Sequence, residues 1–168
     1  MVPVPTAEPV VSAWRARFDS SAAQGMPAHI TTLYPFLDED RLTDSVVARL
    51  SDLCAEVPVL DVEFGRIGRF PAVLYLDPQP ADGLRQLTTD ITKQWPEAPP
   101  YGGRFDEVVP HLTIANSVAD DVLADIEDHV LGALPVRAQL IEAALFVFDG
   151  ARWRSRARLP FGASRRDG

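Results

Sequence analysis

The sequence is poor in cysteine, in long apolar runs and in aromatic side chains. Cys54 is alone among 168 residues, which excludes an internal disulfide and a metal site built from thiolates. No apolar run approaches the roughly 20 residues that a membrane helix needs. Residues 1–9 contain neither the basic residues nor the apolar stretch of a signal peptide. We therefore predict a cytoplasmic protein that does not enter a membrane.

Positive charge is scarce as well. Lysine and arginine together number 16 against 24 acidic residues, so the net charge is -8. Because binding along a nucleic-acid backbone requires clustered basic side chains, long double-stranded nucleic acid is not an expected partner. The net negative charge still permits a small site with locally positive charge. We therefore expect a monomer that binds a small nucleotide or an RNA terminus.

The chain is long enough and apolar enough to form one globular domain. Its apolar fraction is 46% over 168 residues, which is sufficient to bury a core. We predict a single domain over residues 1–168, with one functional motif within 9–80, a second within 104–162 and a flexible tail at 163–168. Cys54 lies in an apolar helical stripe and is predicted to be a core residue.

Hydrophobic periodicity predicts alternating strands and helices. Apolar residues recur at helical spacing in three segments, 42–57, 82–95 and 120–134. Strands are predicted at 9–18, 29–34, 59–70, 72–76, 111–116, 136–148 and 152–161. The last two would form a hairpin around Asp149-Gly150, a strong turn signal. This order predicts an α+β fold with two antiparallel sheets facing one another.

One short pattern occurs twice, 82 residues apart. His29 is followed two residues later by Thr31, and His111 by Thr113, and each motif opens a predicted strand shortly after a proline. Since side chains alternate along a strand, each histidine shares a face with its threonine, roughly 6.6–6.8 Å away. The third histidine, His129, has no such context and is predicted to lie on the surface.

Two such strands facing each other across a cleft would supply what cleavage of a phosphodiester requires. Histidine has an unperturbed pKa of about 6.5, so one ring can act as general base and the other as general acid near neutral pH. The threonine hydroxyls can donate hydrogen bonds to the non-bridging phosphate oxygens. The scheme requires no metal and no cofactor.

These motifs resemble those of a known family. His29-Ile30-Thr31-Thr32 and His111-Leu112-Thr113-Ile114 match the paired motif of the two-histidine (2H) phosphoesterases, in particular the bacterial 2'-5' RNA ligase-like branch, and the resemblance covers residues 9–162. It implies two pseudo-symmetric α/β lobes around a central cleft. It also implies metal-independent hydrolysis of 2',3'-cyclic or 2'-5' linked phosphodiesters, in nucleotide chemistry or RNA processing. His29 and His111 would be the acid/base pair, in either order, with Thr31 and Thr113 on the phosphate.

A long loop at 96–109, rich in proline and glycine, leads into the second motif and is expected to border the cleft. We predict that Tyr101 or Phe105 stacks on a base and that Arg104 meets a phosphate, with an ordinary packed turn as the alternative. Tyr34, at the mirrored position after the first motif, falls on the predicted Ile30 face, which favours packing.

The last predicted strand has arginine at every second position, namely Arg152, Arg154, Arg156 and Arg158. These side chains could extend the cleft as a basic strip for a longer RNA. The favoured interpretation is a solvated face of an edge strand, which discourages pairing between sheets.

Two alternatives to the phosphodiesterase remain open. One is a metal-dependent hydrolase in which His29 and His111 act with a carboxylate such as Asp106 or Glu107, although the sequence has no His-x-His or His-Glu-x-x-His pair. The other is a catalytically silent module that binds a nucleotide or an RNA end. Binding alone would not need two titrating groups, which favours the enzyme.

Overall fold

The computed structural model describes residues 1–105 and 107–162, so the predicted tail at 163–168 lies outside the described residues. The strands are β1 (Val2–Pro3), β2 (His29–Ile30), β3 (Leu60–Phe70), β4 (Val73–Gln79), β5 (Leu112–Asn116), β6 (Val136–Leu140), β7 (Glu142–Phe148) and β8 (Trp153–Pro160). The helices are α1 (Glu8–Phe18), α2 (Ser20–Ala23), α3 (Asp44–Ala55), α4 (Asp82–Gln94) and α5 (Asp120–Leu131). The α+β class predicted from the sequence is confirmed.

Six strands form one antiparallel sheet in the order β1-β2-β5-β4-β3-β6, and β7 and β8 form a separate antiparallel hairpin. Backbone hydrogen bonds between Met1 and Ala144 attach this hairpin beside β1 (N–O distances 2.8 and 3.1 Å). Strands β6 and β7 are consecutive in the chain yet lie at opposite ends of this array. The antiparallel strands therefore nearly close into a barrel.

The helices pack their apolar stripes on the sheet, as their periodicity predicts. Helix α4 buries Leu84, Leu87 and Ile91, and α5 has an equivalent buried stripe. Cys54 on α3 is fully buried, which confirms its predicted place in the core. The buried side chains of these helices join the hydrophobic core, whereas the two histidine motifs line a cavity.

The first predicted strand, 9–18, is wrong, because this segment is the helix α1. Pro9 lies in the first turn, where its missing N–H is not needed, and Val11 and Arg15 are buried four residues apart on one side. Asp19 follows the last residue of the helix and caps α2, because its carboxylate accepts a hydrogen bond from the backbone N–H of Ser21.

Two other predicted strands are interrupted. Strand 136–148 breaks at Ile141, so β6 joins the large sheet and β7 joins the hairpin. The Asp149-Gly150 turn is confirmed, with Gly150 at a positive φ of 94° that glycine adopts easily. The strand predicted at 29–34 is regular only over β2, and the segment after it leaves the sheet.

A register shift between Phe64 and Arg66 places a β-bulge at Gly65. Within residues 1–105 and 107–162, no helix has both the length and the apolar character needed to cross a bilayer.

Candidate active site

The two histidine motifs lie on neighbouring strands of the large sheet. Ile30 of β2 is paired with Leu112 of antiparallel β5. Continuing this register by one residue in each direction places His29 opposite Thr113. The motif strands are thus side by side, whereas the sequence predicts them on opposite sides of a cleft.

This register has a chemical consequence. Thr31 and His111 lie just beyond the ends of β2 and β5, one residue on either side of the Ile30–Leu112 pair. Both histidines and both threonines line one cavity. A single phosphate group placed over the four side chains would be within reach of both rings and both hydroxyls.

The opposite face of the two strands anchors this arrangement. Ile30, Leu112 and Ile114 have no exposed surface and belong to the hydrophobic core, as the strand alternation predicts. A slip of one residue in either strand would bury a histidine and expose an apolar side chain, so burial fixes the register of the site.

Both imidazole rings make the same local hydrogen bond. Nδ1 of His29 lies 2.7 Å from the carbonyl oxygen of Pro27, and Nδ1 of His111 lies 2.8 Å from that of Val109. A carbonyl can only accept, so each Nδ1 carries the proton and donates it. In the neutral ring Nε2 is then unprotonated, which leaves that atom of each histidine to exchange protons with a substrate.

The ring of His111 is packed among aromatic side chains. Its centroid lies 5.2 Å from that of Phe70 and 5.3 Å from that of Tyr75, and these two rings stack on each other. Gly68 lies opposite Tyr75 in the sheet, where a Cβ atom would collide with the Tyr75 ring. Burial in this setting lowers the pKa of His111, and the hydrogen bond to the Val109 carbonyl partly offsets the effect.

His29 is close to charged groups instead. The Arg15 guanidinium donates two hydrogen bonds to one Asp19 carboxylate oxygen (3.1 and 2.9 Å), and both side chains are almost completely buried. Burial lowers the pKa of His29 to about 4, and the Pro27 carbonyl opposes this. The positive charge of Arg15 lowers the pKa further, while the Asp19 carboxylate raises it.

A cavity of about 710 Å³ lies over the two motifs. His29, Thr31, His111 and Thr113 all line it, and so does Tyr101. Its volume is within the range of about 300–1,000 Å³ that is typical of small-molecule sites. The structure thus brings both motifs to one cavity, as the proposed chemistry needs. A second cavity, about 490 Å³, lies between α3 and α4 and has no histidine in its lining.

The three loop residues singled out in the sequence have different positions. Tyr101 lines the cavity, and its backbone N–H donates to the carbonyl of Tyr34 (2.6 Å). Burial raises the pKa of Tyr101, and a side-chain hydrogen bond with Thr31 partly offsets this. Arg104 and Phe105 do not belong to the cavity lining, and 62% of Phe105 is exposed.

Phe36 and Phe146 line the cavity, and so do three further aromatic residues for which no site role is predicted from the sequence, Tyr34, Phe148 and Trp153. Tyr34 is 52% exposed and does not pack under the sheet, because β2 ends at Ile30 and the strand alternation does not continue to Tyr34. The sequence contains no local signal for the other two, since they reach the cavity through the position of the β7–β8 hairpin.

The alternating arginines of β8 are exposed and lie outside the cavity lining. Arg154 pairs with Asp149, and Arg158 donates to Glu142 (2.9 Å). Arg156 lies 3.9 Å from Asp44. These contacts support a solvated, charge-paired face rather than a basic extension of the cleft. His129 is exposed on α5, as predicted.

Among the described residues, no group of three or more histidine, cysteine, aspartate or glutamate side chains is arranged to hold a metal ion. Glu107, one carboxylate of the metal-dependent alternative, is exposed and outside the cavity lining. Asp106, the other, lies outside the described residues.

Comparison with known proteins gives matches in both sequence and structure. The family model described as "2'-5' RNA ligase superfamily" matches residues 2–152. A Bacillus licheniformis protein named "Putative phosphoesterase" is 28% identical over 86% of this chain and 85% of its own length. A Staphylococcus aureus protein of the same name is 26% identical over 89% and 88%.

Among solved structures, E. coli LigT complexed with 3'-AMP superposes with a TM-score of 0.60 at 20% identity, covering 95% of this chain and 94% of that one. The same protein complexed with NADP+ gives a TM-score of 0.57, with coverage of 96% and 94%. At this identity the similarity shows that the fold is shared.

Proposed function

The chain belongs to the 2'-5' RNA ligase superfamily, a group of 2H phosphoesterases, and from this premise we propose that it hydrolyses 2',3'-cyclic or 2'-5' linked phosphodiesters of a nucleotide or an RNA end. The observation that carries the proposal is the pairing of the two motif strands at Ile30 and Leu112, with both histidines and both threonines lining one cavity. A phosphodiester bound to the two hydroxyls would therefore lie between two proton-transfer groups.

In the proposed reaction a water molecule attacks the phosphorus while one histidine Nε2 accepts its proton. The bond from phosphorus to the departing ribose oxygen breaks, and Nε2–H of the other histidine protonates that oxygen. Thr31 and Thr113 donate to the non-bridging oxygens, whose negative charge increases in the transition state. The Pro27 and Val109 carbonyls hold the rings in one tautomer through both steps.

The surroundings of the rings favour His29 as the base and His111 as the acid. A general base must be neutral before the reaction, and the positive charge of Arg15 acts on His29. The described surroundings of His111 are aromatic, so a bound phosphate anion would be the dominant nearby charge and would favour its protonated form.

Similarity in fold to a protein that was crystallised with 3'-AMP supports a small nucleotide as the ligand. The expected monomeric state, the cytoplasmic location and the absence of a cofactor remain predictions from the sequence.

The test is turnover of a 2',3'-cyclic nucleotide in excess chelator, followed by ³¹P NMR so that the product isomer is also identified. We expect the purified protein to open the ring and the His29→Ala and His111→Ala variants to lose activity. His129→Ala is the matched control, because this third histidine is exposed and its ring lies against Trp14, away from the cavity (5.5 Å between centroids).

Undiminished turnover in both motif variants would contradict the proposal. Activity that disappears with chelator and returns with a divalent metal would favour the metal-dependent hydrolase. Nucleotide binding without turnover over a panel of cyclic and 2'-5' linked substrates would favour the binding module.

A further inference from the structure

One wall of the cavity consists of aromatic side chains that are partly exposed to solvent. We propose that Tyr34, Phe148 and Trp153, which we name the aromatic wall, form a platform on which a nucleobase stacks while the phosphate lies over the histidine motifs. The inference rests on the proposed function for the position of the phosphate. It adds a subsite for the base to the proposed function, so that the protein binds the base as well as the phosphate of its substrate.

The three rings form one continuous surface. The centroid of the Trp153 ring is 6.1 Å from that of Tyr34, with an interplanar angle of 70°, and 5.2 Å from that of Phe148, at 47°. Tyr34 is 52% exposed and Phe148 is 39% exposed. Contiguous apolar surface left open in a concave site is typical of a binding surface, because its burial by a ligand is favourable.

The backbone holds this surface in place before any ligand binds. Phe148 and Trp153 are a cross-strand pair at the end of the β7–β8 hairpin, next to its turn. The turn itself is fixed by the Asp149 carboxylate, which accepts from two backbone N–H groups (3.0 and 2.8 Å). The backbone N–H of Trp153 also donates to the carbonyl of Gln24 (2.9 Å), which ties the hairpin to the segment after α2.

Tyr34 is held by a different segment, because its carbonyl accepts a hydrogen bond from the backbone N–H of Tyr101 (2.6 Å). A surface that is already ordered loses little conformational entropy on binding. Stacking uses the π-face that every base has, so the platform predicts tolerance of base identity, with purines bound more tightly than pyrimidines because their rings are larger.

The decisive measurement is equilibrium binding by calorimetry of two ligands that differ only in the base. The first is adenosine 3'-monophosphate, and the second is the 3-phosphate of methyl riboside, which has a methoxy group in place of adenine. We expect the wild-type protein to bind the first at least tenfold more tightly, since stacking of one base on an aromatic side chain commonly gives an effect of about this size. Binding can be measured whether or not either ligand is turned over.

Substitutions then show which side chains produce the preference for the ligand that has a base. Tyr34→Ala and Phe148→Ala are each expected to reduce the preference for the base by about three- to tenfold, and the double variant to abolish most of it. Tyr34→Phe should keep the preference, because it keeps the ring. Leu131→Ala is the control, since it removes an exposed apolar side chain that lies outside the cavity lining.

Equal affinity of the wild-type protein for the two ligands would overturn the proposal, and so would an unchanged preference in the Tyr34→Ala/Phe148→Ala variant. Thermal unfolding of each variant verifies that it is folded, which the exposure of both side chains leads us to expect. A preserved preference for the base in a protein without hydrolytic activity would contradict the proposed function alone. Hydrolysis of cyclic nucleotides without any preference for the base would contradict the platform alone.

Discussion

The two histidines have the same position on neighbouring strands and the same Nδ1 hydrogen bond to a carbonyl two residues earlier, yet their surroundings differ. His111 lies against Phe70 and Tyr75, whereas His29 lies near the buried Arg15–Asp19 ion pair. The backbone is thus symmetric across the site while the electrostatics are not. A symmetric framework can present two identical rings, and the elements packed behind it can assign them different roles.

The strongest test of this comparison removes each ring in turn. His29→Ala and His111→Ala are each expected to reduce kcat/KM for a 2',3'-cyclic nucleotide by about 10²–10⁴-fold, which is the usual contribution of a general acid or base. The double variant should lose little more than the more impaired single variant, because the two groups act in one step. Multiplicative losses in steady-state assays would show that the rings act independently.

The buried ion pair beside His29 is the next point to perturb. Asp19→Asn leaves the Arg15 charge buried without its partner, which should destabilise the protein by about 3–5 kcal/mol in urea unfolding. Glu97→Gln is the matched control, because it breaks the exposed pair with Arg41 and should cost less than about 1 kcal/mol. Equal effects of the two variants would contradict the structural importance of the buried pair.

Asp19→Asn also distinguishes the two histidines through the pH dependence of kcat/KM. Without the carboxylate, the positive charge of Arg15 should lower the pKa of His29 further and move the acidic limb of the kcat/KM profile to lower pH. The limb that reports His111 should not move. A shift of both limbs would show that the ion pair does not distinguish the two rings.

Unlike the two histidines, which differ in their surroundings, the two threonines are expected to contribute equally to catalysis. Thr31→Val and Thr113→Val keep the shape of the side chain and remove one hydroxyl donor, so each is expected to reduce kcat by roughly 10²–10³-fold. We expect the two losses to agree within about a factor of three. A loss confined to one variant would place the phosphate over one motif rather than between both.

The smallest expected effect concerns stability in acid. Because the pKa of His29 is lowered from 6.5 to about 4, the unfolded chain takes up a proton on this residue in the window between these values and the folded chain does not. Stability should therefore decrease as the pH falls through this window, by an amount of the order of 2 kcal/mol for a half-buried ring. The free energy of unfolding of His29→Gln, measured in urea titrations, should decrease less over the same pH window. An equal decrease in the wild-type protein and the variant would contradict the lowered pKa of His29.

Local patterns predicted much of the fold and the centre of the site. The paired motifs, the three long helices and the Asp149-Gly150 turn depend on residues close in sequence, and periodicity or turn chemistry is sufficient to find them. Residues 9–18 were predicted as a strand and form a helix, since their apolar pattern is weak and burial against the sheet decides their conformation.

The site features that were not predicted all come from tertiary contacts. Arg15 approaches His29 because α1 packs beside β5, and Phe148 and Trp153 reach the cavity because the hairpin attaches to β1 through Met1 and Ala144. Nothing in the neighbouring sequence of these residues differs from that of ordinary packed side chains. Their role is visible only after the strands are placed in order.

The pairing of Ile30 with Leu112 has a further consequence for how the protein folds. These residues are separated by about half of the chain, so the loop between them must be closed before the two motifs can meet. Non-local pairings of this kind form slowly in comparison with local hairpins such as β7–β8. The reaction centre is thus completed by a contact that spans about half of the chain, and recovery of activity on refolding would report the assembly of the large sheet rather than of either half.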